Sequence, residues 1–343
     1  MASRQEALEA VYDVALGEWE TLLSEVTYGT KTISVGADTL PGLLAVAEGE
    51  ADAEFPPELV GEVEEAIGEL GGRAFFKLGT RSPKDAVLDF VHPRTEREIV
   101  SVWETRGAEG LDDGAWGSDN RDLVAYVSGC MRALVAESIE DVVWLMVSSL
   151  RVRQDLRAAM ANSELQVDLV FRDWHDMGPA DEFRVFVKDG GITAISQYFH
   201  FVVLPELQAA GAEDRVRSAI QNLWTEYVDP VADQLPCQSY TADVMIDGNG
   251  KAWITELNPF GPVAGPCCFS WVEDADLLNG VGDADSPPIV VRFATSPVKD
   301  ARIRFMSGAW DKWFQSAHLS SPPPPRPPPP PQPPSADGGC VVQ

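Results

Sequence analysis

Three oxygen-bearing side chains are spaced to hold a hard cation. Asp243 lies in the apolar run Tyr240 to Ile246, and Glu256 and Asn258 flank Leu257 at the end of the run that starts at Lys251. Between the runs, Asp247-Gly248-Asn249-Gly250 reads as a hairpin turn. Residues two apart on a strand face the same way, so Glu256 and Asn258 project together. Closing the hairpin brings Asp243 opposite or near one of them. Two carboxylates and an amide on one face suit Mg2+, which takes carboxylates, waters and phosphate oxygens. Without a cation the two carboxylates would repel. Asn258-Pro259-Phe260-Gly261-Pro262 adds a tight bend directly after the pair. The competing reading is a hairpin whose polar face is solvated, and the local pattern leaves both open.

Cations that could meet a polyphosphate lie elsewhere. Lys77 sits on a short strand, Phe76-Lys77-Leu78, before the turn-rich loop Gly79 to Asp85, which carries Ser82-Pro83-Lys84. A strand lysine with a flexible loop can hold phosphates, although the chain has neither a P-loop signature nor a G-x-G-x-x-G fingerprint. For either lysine alone, a solvated surface charge is the plain alternative. Arg172 and Arg184 lie inside strand-like runs, where a guanidinium needs an anionic partner: a phosphate, or Asp181 or Glu182. His92, His175, His200 and His318 show no ligand spacing, and no Ser-His-Asp motif is present. Trp144, Trp253 and Trp271 fit core positions.

The elements that must position these residues are α+β in order. Residues 1–28 have helical spacing, and residues 29–60 read as a loop or short hairpin. A helix is expected over Glu58 to Leu70, stopped by Gly71-Gly72, then a strand over Arg73 to Leu78. Helices follow at Ser118 to Ala136 and Glu140 to Met160. Strands are expected at Leu165 to Phe171, Phe183 to Val187 and Ile192 to Tyr198, the last two joined by Asp189-Gly190-Gly191. Glu213 to Asp229 reads as an amphipathic helix, and the Asp243 hairpin comes after it. Hairpins, rather than repeated strand–helix–strand units, imply antiparallel sheets.

Bulk properties narrow the function. The 343 residues carry a formal charge of −28, with 45% hydrophobic residues. Such acidity argues against a nucleic-acid surface, which needs clustered Lys and Arg. It fits solubility, a basic partner or metal loading. The five cysteines (Cys130, Cys237, Cys267, Cys268, Cys340) have neither zinc nor C-x-x-C spacing. No signal peptide or spanning run is legible, so a reducing, cytoplasmic setting is the default expectation.

Taken together, five segments resemble the D123 or Cdc123-like family. They are FFKLGTRSPKDA at 75–86, DVVWLMVSSLRVRQDL at 141–156, LVFRDW at 169–174, EFRVFVKDGGITAISQY at 182–198 and ADVMIDGNGKAWITELNPFG at 242–261. The resemblance implies an ATP-grasp fold, in which two α+β lobes with antiparallel sheets clamp ATP. It implies that Lys77 contacts phosphate and that the Ser82-Pro83-Lys84 loop lies over the nucleotide. The strand with Val170, Phe171 and Arg172 would offer main-chain groups to the adenine, and Arg184 would face the phosphates. Asp243, Glu256 and Asn258 match the Mg2+-binding acid, acid and amide. Two departures stand out. The family's Lys-Leu-Asn-Trp is Lys77-Leu78-Gly79-Thr80 here, and its usual Asp before the Asn is Glu256, which keeps the charge and adds a methylene.

The implied organisation is an N-terminal segment at 1–57, a core domain at 58–318 and a disordered polyproline tail at 319–343. The implied function is Mg-ATP-dependent assistance in assembling translation initiation factor 2 through its gamma subunit. The alternative is an ATP-dependent carboxylate–amine ligase working through an acyl phosphate, and a catalytically silent scaffold is a third reading. Whether the chain is an enzyme stays open. The tail could bind SH3- or WW-type modules. Its end, Cys340-Val341-Val342-Gln343, fits a farnesylation pattern that alone would give only weak membrane anchoring.

Overall fold

The computed structural model describes residue 14 and residues 16–89, 91–108, 116–281 and 289–316. The polyproline tail and Cys340 lie outside these residues, as does most of the stretch before residue 16. Two sheets organise the chain. The first has four strands: β1 (Thr30–Val35), β2 (Ala74–Leu78), β3 (Val135–Ala136) and β4 (Val167–Asp173), in the order β1-β4-β2-β3. The second has five: β5 (Glu182–Lys188), β6 (Gly191–Gln197), β7 (Tyr240–Ile246), β8 (Ala252–Pro259) and β9 (Val290–Arg292), in the order β8-β7-β5-β6-β9. All pairings are antiparallel except β6 with β9.

Turn chemistry sets the two hairpins. Asp189 and Gly190 both adopt positive φ, at 49° and 83°, which the right-handed twist of a two-residue turn demands. In the other hairpin Asp247 Oδ1 accepts from the main-chain N–H of Asn249 and Lys251, and Gly250 takes φ 82°. β5 and β7 are buried on both faces for six residues each. Their runs are therefore nearly continuous in apolar residues, interrupted by Glu182 and Arg184 in β5 and by Thr241 and Asp243 in β7.

Helices pack around the sheets: α1 (Leu40–Glu48), α2 (Pro57–Glu69), α3 (Pro93–Ala108), α4 (Gly117–Arg132), α5 (Ile139–Ser148), α6 (Leu150–Ala161), α7 (Ala212–Leu223) and α8 (Gly308–Ser316). The crossing of α3 and α4 needs Gly129, because a Cβ there would stand 2.5 Å from the Ile99 main-chain nitrogen. One core cluster runs through both sheets, from Phe76 and Phe171 to Val185 and Ala242.

Several elements differ from their sequence reading. The helix expected over 140–160 is two helices, broken at Ser149, whose ψ of 118° is extended. The Ser149 hydroxyl accepts from Val152 N–H and donates to Asp85, so it caps α6 and anchors the loop before it. The helix expected over 213–229 ends at Leu223 and continues as π- and 3₁₀-type turns to Gln234. Residues 29–60, expected as a loop or short hairpin, contain β1 and α1. β1 is the edge strand of the first sheet, so the fold begins before residue 58.

Candidate functional site

The second sheet lines up the charged residues by register. Ser196, Arg184, Asp243 and Glu256 are directly opposite one another across β6, β5, β7 and β8. Cross-strand neighbours share a face, so this row points one way. A bulge just after Asp243 leaves Thr255 without an opposite residue, and its hydroxyl donates to the Asp243 carbonyl. Asp243 is thereby matched to Glu256, and Asn258 sits two pairs further along, opposite Thr241.

Side-chain contacts close the row into a network. Arg184 forks onto Asp243, with Nε–Oδ1 at 2.8 Å and Nη2–Oδ2 at 2.9 Å, and its Nη1 donates to the Gly265 carbonyl at 2.7 Å. Asn258 Nδ2 donates to Asp243 Oδ2 at 3.2 Å. From β2 of the first sheet, Lys77 reaches Glu256 at 3.2 Å, so an ion pair joins the two sheets. Asp243 is 1% exposed, and Lys77 and Arg184 are each 7% exposed.

Lys84 stands on the loop between β2 and the short helix Asp85–Leu88, with its ammonium 5.4 Å from the Tyr198 ring centroid. Arg184 covers the same ring at 5.0 Å. Tyr198 first, then Glu182, Glu256 and Asp243, push the Lys84 pKa up against the opposing effect of burial. Burial drives Glu182 up to about 7, with Lys84 only partly offsetting it. Burial acts the same way on Glu256, but Lys77 and Lys84 outweigh it and hold that carboxyl at about 2. Burial also raises the Cys267 thiol to about 12, although Arg184 pulls the other way.

The structure thus brings Lys77, Lys84, Arg184, Asp243, Glu256 and Asn258 together. Ser82 lies on the same loop as Lys84. Arg172 is separate. It donates to the Thr255 carbonyl and to the Thr27 and Thr30 hydroxyls, and lies over Tyr28. Its hydrogen-bond partners are neutral oxygens, with the charges of Glu20 and Glu256 acting on it from further off, so it works as a strut between the sheets. The main-chain contact to adenine expected at Val170 and Phe171 does not suit their position. β4 is paired on both sides, to β1 and to β2, so its peptide groups are already in the ladders. Both side chains are buried.

Glu182 and Tyr198 were not among the residues singled out from the sequence for the nucleotide or metal. The available signal was position: Glu182 is two residues before Arg184 on one strand, and Tyr198 is two after Ser196. As for a metal, Asp243, Glu256 and Asn258 are hard oxygen donors and fit Mg2+ by type. Among the described residues, no three acidic, histidine or cysteine groups stand together to hold an ion. An ion here would complete its shell with waters or ligand oxygens.

Comparison with known proteins follows the same lines. The sequence model of the D123 family matches residues 125–306, more than half of the chain. A Lodderomyces elongisporus protein named translation initiation factor eIF2 assembly protein is 30% identical over 246 residues, covering 70% of this chain and 55% of its own length. The Xenopus tropicalis protein of that name is 26% identical, covering 64% and 54%. Eremothecium gossypii cell division cycle protein 123 is 30% identical, covering 56% and 52%. The chain therefore spans about half the length of these relatives. Among solved structures, Cdc123 from Schizosaccharomyces pombe aligns with a TM-score of 0.57 at 22% identity, covering 82% of this chain and 96% of that one. Its C-terminally truncated form gives 0.59 at 22% identity. At that identity the likeness is one of fold. The family match takes in β4 to β9 and with them Arg184, Asp243, Glu256 and Asn258, and the chain belongs to the D123 family.

Proposed function

We propose that the chain binds Mg-ATP between its two sheets, in the manner of an ATP-grasp clamp, and assists assembly of translation initiation factor 2 through the gamma subunit. The observation that carries the binding half is the ion-pair network. Three cations and three oxygen donors from two sheets and a loop meet in one partly buried place, with Lys77, Arg184 and Asp243 at its buried centre, an expensive arrangement for structure alone. Lys77, Lys84 and Arg184 would hold the phosphates, and Asp243, Glu256 and Asn258 would hold the metal. Mg2+ held by these residues would supply charge neutralisation to the phosphates. The assembly half rests on the names of the relatives, and the acidic chain suits a basic partner by electrostatic attraction.

The test is a pull-down with the full chain and the purified gamma subunit, with and without Mg-ATP. Capture that depends on Mg-ATP is the expected result. No enrichment of the subunit would sink the assembly half and leave the binding half standing. The ligase alternative predicts ADP release with a carboxylate and an amine acceptor, so the same samples should be assayed for ADP.

A further inference from the structure

The groups that would grip a polyphosphate and the groups that would grip a metal are already bonded to each other. Arg184 holds both oxygens of Asp243, and Asn258 adds a third bond to that carboxylate. Lys77 holds Glu256. With Lys84 and Glu182, the cluster contains as many acids as cations.

Consider a polyphosphate arriving alone. To receive Arg184 it must draw the guanidinium off Asp243, leaving a carboxylate that is 1% exposed without its cation. A metal ion arriving alone faces the mirror problem. It must take Asp243 from Arg184, stranding a buried guanidinium. With both present, the phosphate would take the released cations Arg184 and Lys77, and the ion would take the released acids Asp243 and Glu256. No buried charge is left unpaired.

From this we infer that the Arg184–Asp243 and Lys77–Glu256 pairs latch the site shut against free polyphosphate and against free divalent cation, so that it admits only the metal–polyphosphate chelate. The coupling is reciprocal: each component raises the affinity for the other by the same factor. The inference deepens the Mg-ATP reading and rests on it for the identity of the ligand. The latch itself belongs to the protein and can be tested with metal alone.

The probe is Mn2+ titrated into the full chain without nucleotide and followed by electron paramagnetic resonance. Arg184→Gln frees Asp243 and should raise Mn2+ affinity about tenfold or more over the parent, the size expected when a buried charge loses its competitor. Lys77→Gln should do the same at Glu256 to a smaller degree, because that carboxylate is 37% exposed. Asp243→Asn should show the opposite pattern: ATP in excess EDTA binds about tenfold tighter than to the parent, and Mn2+ binds more weakly. Melting curves establish that each variant is folded. Unchanged or weaker Mn2+ binding in both cation variants would overturn the latch, whatever the nucleotide does. So would a parent protein that binds metal-free ATP as tightly as Mg-ATP, a measurement that needs no variant. A parent that binds no Mg-ATP while Arg184→Gln gains Mn2+ would refute the nucleotide reading and leave the latch intact.

Discussion

Glu182 is the residue with the most distinctive chemistry outside the predicted set. It lies on β5 beside Arg184, it is 5% exposed, and burial raises its carboxyl from 4.5 to about 7. In the fold it keeps its proton to a higher pH than in the unfolded chain. Its contribution to stability is therefore greatest below about pH 4.5 and is lost as pH rises through about 7. Glu182→Gln mimics the protonated form. At pH 8 it should be more stable than the parent by about 3 kcal/mol, and near pH 4.5 the difference should vanish, as read from urea unfolding at the two pH values. Glu256 behaves the other way. Held at about 2, it adds stability above its unfolded value of 4.5, which is lost as pH falls toward 2. At this scale the sequence was informative where chemistry and spacing coincide. Asp243, Glu256 and Asn258 were legible because one short hairpin carries all three. Glu182 and Tyr198 were not, because what makes them part of the site is the register of β5 against β6 and β7, which local spacing does not contain.

Single residues also decide how elements hold the site. Ser149 ends α5, caps α6 and donates a 2.6 Å hydrogen bond to Asp85, whose other oxygen accepts from Arg151 N–H. Asp85 directly follows Lys84, so this buried junction sets where the lysine stands. Ser149→Ala should cost about 1–3 kcal/mol in thermal unfolding, because it removes a cap and strands a buried carboxylate oxygen. Calorimetry on the same variant should show weaker Mg-ATP binding through the displaced Lys84. The run Glu140 to Met160 reads as one helix because its apolar spacing is nearly unbroken, and a single serine gives little warning of a break. β1 is hard to read from the sequence for a different reason. Its sequence, Thr-Lys-Thr-Ile-Ser-Val, is polar enough for a loop, and only the pairing with β4 makes it a strand. The same pairing turned β4 from an expected nucleotide-facing edge into an interior strand. By contrast, β7 is the strand read from sequence, end for end.

Across the whole molecule, the two sheets are stitched at more than one point. Thr27 bridges to Ile254 of β8 just before the chain enters β1, and its hydroxyl donates to the Ile254 carbonyl at 2.7 Å. Arg172 crosses from β4 to Thr255, and Lys77 crosses from β2 to Glu256. The first link is neutral, the second joins a guanidinium to a main-chain carbonyl, and the third is an ion pair. The α+β class was legible from the alternation of hairpins and helices. The convergence of two sheets on one ionic cluster was legible only through family resemblance, because Lys77 and Glu256 are 179 positions apart. Among the described residues no helix is long and apolar enough to cross a membrane. Titration calorimetry of the full chain against its Asp243→Ala variant tests most directly whether this cluster binds Mg-ATP. The parent should bind ATP in the presence of Mg2+, and the variant should show no Mg2+-dependent binding. Equal affinity in the two proteins, or no heat from the parent, would contradict the account.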